Sequence, residues 1–178
     1  LYWNDPMAME PQLRPGIERF GIHTWRLASH YTEAEADLFV QAFAFVFASF
    51  PMGNPAVATA SMADPDARMK EYPPLFEGNQ GWKEAFQQVG DPNQAHHYAA
   101  FVHMGYHFGS TTGYAVNYVR DGMTDWWRFQ KSPEDVALGN LASDHGQMLR
   151  DGRLPVQLFS TYMYLNLAGP PRGGGGYD

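Results

Sequence analysis

The strongest pattern along the chain is a block of apolar residues with helical spacing. Phe39, Phe43, Val46 and Phe50 recur every three to four residues, while Val40, Phe45 and Phe47 fill the remaining faces. A helix that is apolar nearly all round belongs in the middle of a helical assembly. Thr32-Glu33-Ala34-Glu35 marks its start as a capping box, and Pro51 ends it. The spacing therefore predicts a central helix over about 32–50.

Other elements follow from punctuation rather than periodicity. An extended arm is expected over 1–16, with Pro6, Pro11 and Pro15, followed by a first helix over about 17–29. Residues 51–81 carry Pro51, Pro55, Pro65, Pro73 and Pro74 and read as a long connection, with a short helix opening at Asp64-Pro65. A short helix is expected over 82–89. Asp91-Pro92 opens a helix to about Phe108, and Ser132-Pro133 opens another to about Arg150. Between them lie shorter segments at 111–120 and 124–130. The stretch Tyr114-Ala115-Val116-Asn117-Tyr118-Val119 also fits a short hairpin. A last helix covers 154–167, and 169–178 is a glycine-rich tail. The sum is an all-α fold: six to eight helices in an irregular or orthogonal bundle, forming one domain over 17–168 around the hydrophobic central helix.

Two of these helices carry the candidate chemistry. Helix 91–108 holds His96, His97, His103 and His107, four of the seven histidines. At 100° per residue His97 shares a face with Phe101, Met104 and Phe108, so it points inward. His96, His103 and His107 share another face with Ala99 and Ala100, and the plainest expectation is a polar face open to solvent. His103 and His107, four residues apart, also have the spacing of two ligands to one metal ion. A zincin has glutamate directly after its first histidine, where this chain has Met104. The di-iron pattern of glutamate three residues before histidine is absent too. A divalent metal at His103 and His107 would therefore need ligands from another helix.

Helix 132–150 contains Gly139-Asn140-Leu141-Ala142-Ser143-Asp144-His145-Gly146. His145 lies on the face of Leu138, Leu141, Ala142 and Leu149, toward the core, with Asp144 at the edge of that stripe. Gly139 and Gly146 each cost a helix about 1 kcal/mol relative to alanine. Close approach of a neighbouring helix offsets that cost most simply, and Gly105 invites the same reading. If the two helices pack together, His97, Asp144 and His145 become candidates for a general acid/base set.

Composition narrows the functional classes. The net charge is −7, and only Lys70, Lys83 and Lys131 are lysines, without a basic run for nucleic-acid phosphates. There is no cysteine, which excludes disulfides and thiolate chemistry. The longest apolar stretch, 39–50, is too short to span a bilayer. No Walker loop, dinucleotide fingerprint or Gly-x-Ser-x-Gly elbow appears. The leading expectation is a helical protein-interaction or assembly-subunit domain without its own catalysis, binding a protein partner or a second copy of itself. Trp3, Trp126 and Trp127 are its candidate anchors. The alternative is a small hydrolase or metal-binding protein with a histidine site between helices 91–108 and 132–150.

Overall fold

The computed structural model describes residues 16–60, 80–87, 93–124 and 132–170. Among these, the chain forms seven α-helices: α1 (Gly16–Ala28), α2 (Ala36–Ala48), α3 (Pro55–Ala60), α4 (Gln94–Phe108), α5 (Ser110–Thr124), α6 (Pro133–Arg150) and α7 (Val156–Leu167). Single 3-10 turns occupy Glu33–Glu35 and Glu84–Phe86. The all-α expectation holds, and none of the described helices is long and apolar enough to cross a membrane.

The central helix forms because its start, its faces and its end agree. The Glu35 carboxylate accepts from the Thr32 backbone N–H (2.9 Å) and hydroxyl (2.9 Å). That box opens the 3-10 turn, which runs on into α2. Phe39, Phe43 and Phe47 are buried and meet Phe20 of α1, Tyr98 of α4 and Phe159 of α7. Most of these rings meet edge to face, the arrangement the ring quadrupole favours. Ser49 then adopts a left-handed conformation (φ 56°), and the Phe50 N–H returns to the Ala44 carbonyl. This turn ends α2 before Pro51 is reached and tucks Phe50 inward.

α4 and α6 run parallel at close range. His97 meets Asp135, Gly105 meets Ser143 and Gly109 meets Gln147 and Arg150, so positions rise together along both helices. A Cβ at Gly105 would lie 2.6 Å from the Ser143 carbonyl carbon. One at Gly146 would lie 2.7 Å from the Tyr106 backbone nitrogen and 3.0 Å from the Val102 carbonyl carbon. No such distance is tolerable, so these glycines allow backbone-to-backbone contact. α5 returns antiparallel along α6: Gly113 faces Ser143, and Asn117 donates to the Val136 carbonyl (2.9 Å) and to Asn140 (3.1 Å). The alternating stretch read as a possible hairpin lies inside α5. Its period of two is accidental, because helix packing against Gly139 claims Asn117.

α1 and α7 form an antiparallel pair on the other side of α2. Ser160 donates to the Gly21 carbonyl (2.8 Å), and Gln157 donates to the Tyr31 carbonyl (2.8 Å). α7 is held at both ends by distant residues. The Val156 N–H donates to the Glu33 carboxylate (3.0 Å), an acid at the positive helix end. Lys83 donates to the Asn166 carbonyl (2.6 Å) at the negative end. The helix expected over 82–89 is instead a 3-10 turn preceded by Trp82, which pairs as a bridge with Ala168. Gly169, counted with the tail, donates to the Gly81 carbonyl (2.8 Å). The arm over 1–15, the Asp64-Pro65 start, the Asp91 cap, the segment 125–130 and the tail beyond 170 lie outside the described residues, as do Trp3, Trp126 and Trp127.

Candidate functional site

The helices that carry the histidines do pack together, but they distribute their side chains to three separate places. α6 begins as its sequence dictates: Pro133 follows the N-cap Ser132, whose hydroxyl accepts from the Asp135 N–H (3.2 Å), with Glu134 and Asp135 in the first turn. His97, one turn into α4, sits at this end, its Nε2 2.9 Å from the Asp135 carbonyl oxygen. Asp135 precedes Asp144 by nine residues, roughly 13 Å of helix rise.

Asp144 is exposed on the side of α6 that faces α5, where it accepts a hydrogen bond from the Tyr114 hydroxyl. His145 turns the other way, into the core. Its Nδ1 lies 2.5 Å from the hydroxyl of the buried Tyr98, and Tyr162 packs against its ring. Burial pushes the His145 pKa down to about 4, against a smaller opposing pull from Asp144. Burial likewise raises the Tyr98 pKa well above its ordinary value, helped by Tyr162. At neutral pH the pair is a phenol and a neutral imidazole. The structure thus does not bring His97 beside Asp144 or His145; each has its own partner on a different side of the seam.

His103 and His107 face α2, not α6. Their rings lie 4.3 Å apart between centroids, tilted by 55°, and Phe50 meets His103 edge to face. The expectation of a solvent-open face fails here: His103 is 2% exposed, and the His107 side chain is 9% exposed. The cause is the left-handed turn at Ser49, which folds Phe50 back over this face. Burial holds His103 down to about 3, with the neighbouring His107 adding to the effect. Burial lowers His107 too, and Asp37 opposes it. Asp37 Oδ1 lies 3.7 Å from His107 Nδ1.

His103 Nδ1 and His107 Nε2 are both closed off from solvent and have no hydrogen-bond partner. Each such group ordinarily costs about 1–3 kcal/mol. Among the described residues, no group of three or more histidines and carboxylates is placed to hold a metal ion. The protein's own donors at this point are therefore two imidazole nitrogens.

A third feature was passed over in the sequence. The outer face of α7 carries Leu158, Tyr162 and Leu165, which are 57%, 37% and 69% exposed. They stand at i, i+4 and i+7, one stripe of the helix. None of the twelve residues of α7 is charged. That absence was legible from the sequence, as was the helix; that the stripe faces outward was not. No known family model, curated protein or solved structure matches the chain.

Proposed function

We propose that the chain is a helical assembly subunit that pairs with a second copy of itself through the outer face of α7. The observation that carries this reading is the uncharged stripe Leu158, Tyr162 and Leu165. A surface helix normally turns charged residues to water. Here the inward residues Val156, Phe159, Met163 and Leu167 are buried against the rest of the domain. On the outward side the apolar Leu158, Tyr162 and Leu165 are flanked by the uncharged Gln157 and Thr161, so no charge faces water along this helix.

A second copy suits the stripe better than an unrelated partner. Its large residues are spaced almost symmetrically about Tyr162. A two-fold axis through Tyr162 sets Leu158 of one chain against Leu165 of the next, an isologous contact. Antiparallel pairing also brings the Glu33 end of one α7 to the Lys83 end of the other, so the charges that cap α7 complement each other across the axis.

Sedimentation velocity across a concentration series tests the proposal. The expected result is a concentration-dependent dimer that Leu165→Glu converts to monomer, with Leu158→Glu weakening it similarly. A wild-type chain that stays monomeric at high micromolar concentration overturns the reading. So does a dimer that both substitutions leave intact.

A further inference from the structure

We propose that His103 Nδ1 and His107 Nε2 are the two protein ligands of a late first-row transition-metal ion, in a site roofed by Phe50 and supported by Asp37. The site is separate from the α7 stripe and does not depend on the pairing proposed for it.

Spacing comes first. Residues four apart on α4 present their side chains to one side, and the two rings stand 4.3 Å apart between centroids. Neighbouring imidazoles on one helix face can each offer a nitrogen to one ion, at bond lengths of about 2.0–2.1 Å. Then comes the state of the donor atoms. Both nitrogens are sealed from solvent and satisfied by no protein group. Buried polar side-chain atoms are nearly always paired, so two unpaired nitrogens on adjacent rings call for a shared third body.

The surroundings hold one ring ready to bind. Asp37 stands 3.7 Å from the far nitrogen of His107. A carboxylate there favours the proton on Nδ1 and leaves the lone pair on Nε2, the arrangement by which an outer carboxylate orients a metal-binding histidine. Asp37 is itself held: Gln41 donates to its Oδ2 (2.6 Å), and the Gly53 N–H donates to the Gln41 side-chain oxygen (2.8 Å). A chain of contacts thus runs from the loop after α2 through Gln41 and Asp37 to His107.

The donor chemistry selects the class of ion. Two imidazole nitrogens suit zinc, copper or nickel, whereas magnesium and calcium require oxygen ligands. With two protein donors at nitrogens closed off from solvent, the ion must carry the rest of its shell in with it, as water or a small exogenous ligand.

The test is calorimetric titration of the full chain with Zn²⁺ and with Cu²⁺. One ion per chain is expected. His103→Gln and His107→Gln should each weaken binding at least tenfold, and Asp37→Asn by about tenfold as an outer-shell loss. His30→Ala, on an exposed residue, should leave binding unchanged. Circular dichroism confirms that each variant is folded. Should a variant fail to fold, nitrogen NMR of the wild-type rings answers the same question: saturating Zn²⁺ must shift His103 Nδ1 and His107 Nε2. Binding that survives both histidine substitutions overturns the proposal. So do ring nitrogens that do not move at saturating Zn²⁺, which would assign a bridging water to the pair instead.

Discussion

The seam between α4 and α6 and the outer face of α7 are both helix surfaces with little charge, yet they are built from opposite residues. The seam uses Gly105, Ser143 and Gly146, and another backbone lies directly on them. The α7 face uses Leu158, Tyr162 and Leu165; Tyr162 touches His145 at its edge, while Leu158 and Leu165 stay open among the described residues. Small residues mark where the chain packs on itself, because a close crossing leaves no room for a side chain. Large apolar residues facing outward mark a surface whose cover comes from outside the chain. The two kinds of interface are thus distinguished by residue size rather than by hydrophobicity.

The largest effect should come from filling the seam. Gly105→Ala or Gly146→Ala forces a methyl group into backbone atoms of the opposite helix. A loss of about 3 kcal/mol is expected, at the upper end of overpacking costs, measured by urea denaturation. A loss below about 1 kcal/mol in both would mean that the helices separate easily, and the contrast with α7 would collapse.

Acid should weaken the same region next. His145 is held neutral inside the seam, with its pKa at about 4 against an ordinary 6.5. Below 6.5 the unfolded chain takes up a proton that the folded chain refuses. The contribution of His145 is therefore complete above pH 6.5 and is lost as pH falls from about 6.5 to about 4. His103, lowered for the same reason, adds to the loss in this window and below it. Replacing His145 by glutamine should flatten the fall in stability between pH 6.5 and 4 without abolishing it. An unchanged slope would show that His145 protonates freely in the folded chain.

The smallest effect on stability should come from the open face. Leu165→Glu changes a side chain already in water, so monomer stability should shift by no more than about 0.5 kcal/mol while self-association is lost. A large destabilisation of the monomer would show that the stripe is packed within its own chain and would remove the distinction drawn here.

Local signals were read well where they needed only neighbours. The Thr32–Glu35 box and the Ser132 cap are in place because their partners lie within one turn. The glycines of α4 and α6 announced a close approach, because only a neighbouring backbone offsets their cost to a helix. The candidate sites were half legible. His145 was correctly placed inward, but its partner Tyr98 lies 47 residues away and carries no signal of the pairing. Asp37 and Glu33 carry no local signal of their distant partners; one stands by His107 and the other caps α7.

The sequence by itself determined that this is a helical protein, where its well-capped helices begin, and which residues share a face. Helical periodicity is local, so it survives without knowledge of the rest of the chain. Only the tertiary structure decided which face meets which. It turned His103 and His107 toward α2 by way of the left-handed turn at Ser49, kept His97 at the start of α6, and left the stripe of α7 uncovered among the described residues. Those choices depend on shape complementarity between distant segments, and no short-range pattern encodes that.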